Sequence, residues 1–222
     1  MTHVFKIKKD NLVGIVGQTG AGKTTLIKLL LRLYNIENGK IIINPPKIVD
    51  MDKNPLIDVS IFDEARYYKP MMGKIWRMFP IETHRGCPYK CAYCNSPSQM
   101  AIHKLNQNES FLRRKTFENM RRELLFFKNE MKAEFLYFWA DTFFSWTRKD
   151  FETFAELYQE IQLPFWCQTR PETINEHRVK TLKKMGVARI AFGIEHGNEK
   201  FRAKYLDRKM SNKIITEGIK TV

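Results

Sequence analysis

Residues 84–98 read HRGCPYKCAYCNSPS and place three of the chain's four cysteines within eight residues. Cys87, Cys91 and Cys94 have the spacing C-x3-C-x2-C, and an apolar start, MFPI, runs into polar turn residues just before them. Spacings of four and three let a loop curl around a compact inorganic core. On spacing alone, three chemistries compete. Structural zinc takes four tetrahedral ligands. The next thiol is Cys167, far along the chain in LPFWCQTR, and His84 and His103 do not form a paired half-site. A redox dithiol accounts for the C-x-x-C of Cys91 and Cys94 but leaves Cys87 unexplained. An iron–sulfur cluster is held by cysteine thiolates, normally four. With three, one iron keeps open coordination positions where a small molecule can bind.

The chain has 222 residues, enough for one good core or two small domains. It is 43% hydrophobic and 28% charged, ordinary for a globular protein. No apolar run approaches the length of a membrane span, and the start, MTHVFKIKKDN, has no signal-peptide pattern, so a cytoplasmic protein is expected. Four cysteines in a chain this size do not make a disulfide framework. The net charge is +14, and residues 1–44 contribute seven Lys/Arg against two Asp/Glu. The excess is therefore spread along the chain and reads as a solvated basic surface. RRK at 113–115 and RR at 121–122 fall on a predicted helix, with nothing like a base-reading module around them, so a nucleic-acid partner is not expected.

The organisation changes near residue 45. NLVGIVG reads as a buried strand, and GQTGAGKT, Gly17 to Thr24, fits G-x-x-x-x-G-K-[ST] ahead of leucines at helical spacing. In such a phosphate loop Gly17, Gly20 and Gly22 free backbone N–H groups to face phosphate oxygens. The helix N-terminus adds positive potential, Lys23 reaches the terminal phosphates, and Thr24 ligates magnesium. Residues 4–44 resemble the Walker A region of an ABC-transporter ATPase and the strand after it. No LSGGQ-like signature follows. FLYFWAD imitates a Walker B strand, but Thr142 stands where ABC enzymes carry a glutamate. Weak ATP/Mg binding without efficient hydrolysis is the expectation for this piece. NPPKIVDMDKNP, 44–55, with its prolines, reads as a linker or irregular segment.

The remainder alternates strand and helix, which argues for a parallel sheet. The pattern predicts a helix over 111–131 with Phe117, Met120, Leu124 and Phe127 on one face. It predicts strands at 133–141, 164–170 and 188–197, with helices between them and two more after the last. The strands end in Asp141, in Gln168 and Arg170, and in Glu195 and His196. (β/α) barrels build their sites at such ends. The last strand, near Arg189 to Ile194, reads as an unpaired edge. His84 and His196 read as structural hydrogen-bonding residues, Cys167 as a buried small residue, and the aromatics of 135–146 as core.

C-x3-C-x2-C with an aromatic, Tyr93, before the last cysteine resembles the radical SAM superfamily. FDEARYYKPMMGKIWRMFPIETHRGCPYKCAYCNSPS, FWADTFF, PFWCQTRPETIN and FGIEHGNEKFR extend the resemblance from about residue 56 to the end, toward a branch whose members often carry a cobalamin-binding domain. The D-x-H-x-x-G signature of that domain is absent, so cobalamin binding is not expected. The resemblance implies a 4Fe-4S cluster on Cys87, Cys91 and Cys94, with S-adenosylmethionine chelating the open iron. A flavodoxin- or ferredoxin-like donor supplies the electron that cleaves the cofactor, and the resulting 5′-deoxyadenosyl radical takes hydrogen from a small-molecule or other substrate. Tyr93 is placed against the adenine, Asp141 and Glu195 against the cofactor's polar groups, and Gln168 and Arg170 facing the substrate or the cofactor's carboxylate.

The expected fold is therefore α/β: an incomplete (β/α) partial barrel of radical SAM type, truncated at its C-terminal side, behind a short strand–P-loop–helix segment. The expected parts are a P-loop fragment at 1–44, a linker and lead-in at 45–79, and a radical SAM core at 80–222. The alternatives are an ABC-type ATP-binding module and a fusion in which neither half is active.

Overall fold

The computed structural model describes residues 13–30, 50–107 and 111–222. The chain divides into two units, Met1–Lys47 and Ile48–Val222. In the first, a turn over residues 19–22 leads into α1 (Lys23–Leu30). Residues 13–18 run as irregular chain, so the strand expected ahead of the turn is not formed over these residues, and Val13, Ile15 and Val16 are exposed. A strand needs a hydrogen-bonding neighbour, and none is present among the described residues of this unit. The strand expected near 40–44 lies outside the described residues.

The second unit begins with residues 50–54 docked onto it. Met51 is buried, and the Asp52 carboxylate accepts hydrogen bonds from the Thr116 N–H and from Asn119 Nδ2. β1 (Tyr68–Met71) and β2 (Lys74–Ile81) then form an antiparallel hairpin. Its turn needs positive φ at both central positions, taken by Met72 (54°) and Gly73 (74°). Sequence periodicity does not mark β1, because YKPM is short and contains a proline. β3 (His84–Arg85) pairs antiparallel with β4 (Arg113–Arg114) as a separate ribbon, with α2 (Ser96–Gln107) between them.

This ribbon corrects the helix expected over 111–131. Arg113 and Arg114 are extended, and α3 (Phe117–Asn129) starts only where the Thr116 side chain accepts from the Asn119 N–H. The basic runs noted above are also largely partnered. Arg114 pairs with Asp150, Arg121 with Glu160, and Lys115 with Glu123 in a buried pair at 2.6 Å.

β5 (Phe135–Phe138), α4 (Arg148–Tyr158), β6 (Phe165–Thr169), α5 (Glu176–Met185) and β7 (Val187–Phe192) complete the main sheet, in the order β1-β2-β5-β6-β7. From β2 onward all pairs are parallel and follow chain order. The order never reverses, and α3 touches α4 as α4 touches α5, so the returning helices share one face. A doubly wound sheet would split them between two faces; this arrangement is a half-barrel. The sheet curls far enough for Arg189 Nη1 on β7 to come within 3.9 Å of Met71 Sδ on β1, at the opposite end of the strand order. Among the described residues β7 pairs only with β6. α6 (Glu199–Tyr205) and α7 (Asn212–Thr221) follow, and Gly218 of α7 lies so close to the Pro171 carbonyl that a Cβ there would sit 2.6 Å from it.

The core lies between the sheet and α3–α5 and is strongly aromatic. Phe138 sits at its centre, fully buried, with ring centroids of Phe143, Phe154, Tyr158 and Phe165 between 5.1 and 5.8 Å away. Such tilted and edge-on pairs add to plain area burial. Side-chain caps fix where the helices begin: Thr116, Thr147, Asn175, Asn198 and Ser211 each accept from a backbone N–H three residues on. Gly186, at φ 86°, closes α5 in the left-handed conformation that glycine adopts without penalty. We predict that Phe138→Ala lowers unfolding free energy by about 3–5 kcal/mol in urea titration. A loss under about 1 kcal/mol would contradict the central place given to this ring.

Candidate cofactor site

The site forms where the C-terminal ends of β2, β5, β6 and β7 share a rim. β2 ends at Ile81, and the turn into the cysteine loop is fastened by His84. Its Nε2–H donates to the Thr142 carbonyl at 3.1 Å, which leaves Nδ1 to accept from the Thr83 hydroxyl at 3.0 Å. The ring packs edge-on against Trp146, and burial pushes its pKa below 6.5. His84 thus has the structural role expected of it. Gly86 follows at φ 92°, and a Cβ here would collide with the Phe111 carbonyl oxygen, so only glycine lets the loop pass.

Within the loop Cys91 is buried, Cys87 half-buried and Cys94 exposed. The Cys94 N–H donates to the Cys91 carbonyl at 3.1 Å, and the Ser96 N–H reaches Cys94 Sγ at 3.4 Å. The Ala92 N–H donates to the Leu206 carbonyl, tying the loop to the segment after α6. No group of three or more His, Cys, Asp or Glu among the described residues is set to hold a metal ion.

Two buried guanidinium groups converge on Cys91. Arg170 Nη1 donates to Cys91 Sγ at 3.0 Å, and the same guanidinium pairs with Glu172 and lies 3.8 Å over the Tyr89 ring. Arg208 Nη1 donates to the Tyr93 hydroxyl at 2.9 Å and lies 3.8 Å from both Cys91 Sγ and Glu195 Oε1. Its Nη2 donates to the Gly193 carbonyl, while its Nε is buried without a partner, as is Glu172 Oε2. An orphaned buried N–H is costly, and a cation pair beside a sulfur donor suits an anionic group. In donor chemistry the three cysteines, with two buried cations beside Cys91, suit a thiolate-bound cluster, although their side chains are not gathered into a metal site here. Burial pushes the Cys87 thiol up, opposed by a hydrogen bond from the Tyr89 N–H; the negative charge of Asp141 adds to the rise and Arg170 opposes it weakly. A metal taking this sulfur would have to displace its proton.

The residues expected at this rim come together in part. The Tyr93 hydroxyl meets both Arg208 and Glu195, and its pKa is raised by burial and by the hydrogen bond with Glu195. Glu195 holds a positive φ of 68°, and a Cβ at Gly193 would lie 2.8 Å from its carboxylate. Asp141 is exposed after β5, within electrostatic reach of Cys87. Gln168 donates to the Ala140 carbonyl at 3.1 Å, bracing the β5 loop. Arg208 belongs to none of the motifs above, yet the residue is 3% exposed. Arg202, fully buried, braces the same region through the carbonyls of His196 and Met210.

In the first unit Gly20 (φ 89°) and Gly22 (φ 82°) use the conformation glycine permits. Lys23 Nζ donates to the carbonyls of Gly17 and Gln18, and Thr24 lies in the first turn of α1. No helix among the described residues is long and apolar enough to cross a membrane.

A model of the radical SAM superfamily matches residues 81–222. The chain belongs to the radical SAM superfamily. Among solved structures it is similar to the radical S-adenosylmethionine methyltransferase TsrM of Kitasatospora setae, at 14% identity and TM-score 0.49, over 65% of this chain and 28% of that one. It is also similar to the cobalamin-dependent S-adenosylmethionine radical enzyme OxsB, at 17% identity and TM-score 0.49, over 64% and 22%. Among curated proteins, a 63-residue stretch is 44% identical to the beta-(1-->2)glucan export ATP-binding/permease protein NdvA of Agrobacterium fabrum (strain C58 / ATCC 33970), covering 28% of this chain. That match spans 11% of NdvA's own length.

One consequence of the His84 geometry is measurable in this radical SAM chain. Because the folded state depresses the His84 pKa, the unfolded state binds more protons below pH 6.5, and stability falls as pH drops from there toward the folded value. His84→Gln is expected to flatten that part of the pH–stability curve in denaturant titrations. An unchanged slope would show that His84 is not buried neutral.

Proposed function

We propose that Cys87, Cys91 and Cys94 hold a 4Fe-4S cluster and that S-adenosylmethionine binds beside it. The observation that carries this reading is the convergence of Arg170 and Arg208 on the Cys91 sulfur in a loop at the strand-end rim. When bound, the pair supplies reductive cleavage of the sulfonium compound to a 5′-deoxyadenosyl radical able to take hydrogen from a substrate.

The chain's own residues have definable tasks. Cys87, Cys91 and Cys94 give three thiolates and leave one cluster position open. Arg208, with an N–H to spare, offers a cation to a carboxylate placed next to Tyr93, and Glu195 and Asp141 offer carboxylates to an ammonium group. Tyr93, half-exposed with its hydroxyl fixed by Arg208, presents a ring face for the adenine. Electrons come from a low-potential protein donor of flavodoxin or ferredoxin type, and the substrate is a small molecule.

Anaerobic reconstitution with iron and sulfide is predicted to give a brown protein with broad absorbance near ~400 nm. Alanine at any of the three cysteines is predicted to remove most of that absorbance and the bound sulfide. Zinc without sulfide in the wild-type chain would contradict the reading.

A second reading rests on the phosphate loop, whose glycines keep their left-handed angles and whose lysine folds over the loop carbonyls. Here the first unit binds ATP with magnesium. Calorimetry on the full chain is predicted to show ATP binding that Lys23→Ala weakens at least tenfold; equal binding by both proteins would contradict it.

A further inference from the structure

We propose that Arg170 sets how readily the cluster accepts an electron, acting through its contact with the Cys91 sulfur. The proposal rests on the cluster assignment above, and it gives Arg170 a task other than meeting the cofactor's polar groups.

Arg170 leaves the end of β6 and is 9% exposed. Its guanidinium is held from three sides: by the Cys91 sulfur at 3.0 Å, by the Glu172 carboxylate, and by the Tyr89 ring at 3.8 Å. A planar fork fixed in this way keeps one N–H aimed at the sulfur. Arg208 differs. Its Nη1 is 3.8 Å from the same sulfur but donates to Tyr93, so toward Cys91 it acts as a charge rather than as a well-made hydrogen bond.

Reduction adds one electron to the cluster and makes it more negative by one unit; no bond breaks and no proton moves. A buried N–H···S bond from a cation stabilises the reduced form more than the oxidised form and raises the potential. Burial strengthens the effect, because the local dielectric is low. Glu172 works in the opposite direction. Its carboxylate shares the guanidinium, and its Oε2 is buried without a partner, so it cancels part of the positive field at the sulfur. Arg170 and Glu172 therefore form an opposed pair, and removing either charge moves the potential with opposite sign.

The test uses the full chain, reconstituted anaerobically, as wild type, Arg170→Met and Glu172→Gln. Iron and sulfide per chain are measured first. Each protein is then titrated with dithionite as the one-electron donor, and the reduced cluster is followed by EPR. The expected result is a midpoint shifted to more negative potential in Arg170→Met and to more positive potential in Glu172→Gln. Two unmoved midpoints, or two shifts of the same sign, overturn the proposal. If Arg170→Met holds no cluster, Glu172→Gln decides: a positive shift supports the proposal, and an unmoved or negative one overturns it. A wild-type chain with no bound sulfide removes the cluster assignment itself, and the proposal falls with it; that failure is visible in the first measurement, before any potential is read.

Discussion

Parallel strands hydrogen-bonded in chain order cannot be joined by tight turns, so each return from the top of β2, β5 and β6 to the base of the next strand needs a long crossover. α3, α4 and α5 supply those crossovers and must bury their apolar faces against the sheet. Phe138 and the rings around it fill that contact. The same constraint sends every strand's C-terminal end to one rim, which brings the cysteine loop, Asp141, Arg170 and Glu195 together although they span more than a hundred residues of sequence. The hydrophobic packing thus fixes the positions of groups it never touches.

At that rim the main problem is electrostatic. The guanidinium groups of two buried arginines lie against a buried sulfur and are only partly compensated by Glu172 and Glu195. Buried charge without full pairing is unfavourable, and folds retain it where something else completes the pairing. The unpartnered Nε of Arg208 and the left-handed φ of Glu195 are of the same kind: local costs gathered around the cysteine loop. The cluster proposed above, being anionic, would complete the pairing of the two guanidinium groups.

Much of this was legible from residues alone. Strands at β5, β6 and β7 and their helices follow from apolar runs and helical periodicity, and the cysteine spacing marks the loop. The elements that escaped have physical reasons. β1 and β3–β4 are short and polar, held by pairing rather than by pattern, and the helix expected from residue 111 begins six residues later because the Thr116 cap outweighs the periodicity before it. The strand expected at 11–17 does not form over 13–18, since local apolarity cannot make a strand without a neighbour. Arg208 escaped because burial of a charged side chain is set by tertiary contacts, and neighbouring charges such as Asp207 and Lys209 make its segment read as surface.

The central claim is that three sulfurs hold a cluster and leave one iron free for a sulfonium compound. Mössbauer spectroscopy of the iron-57 reconstituted, oxygen-free chain, with and without S-adenosylmethionine, tests it directly. The account predicts that adding the compound changes the isomer shift of a single iron site while the others keep theirs. Spectra that stay the same at every iron, or that show all irons already equivalent and thiolate-ligated, would contradict it.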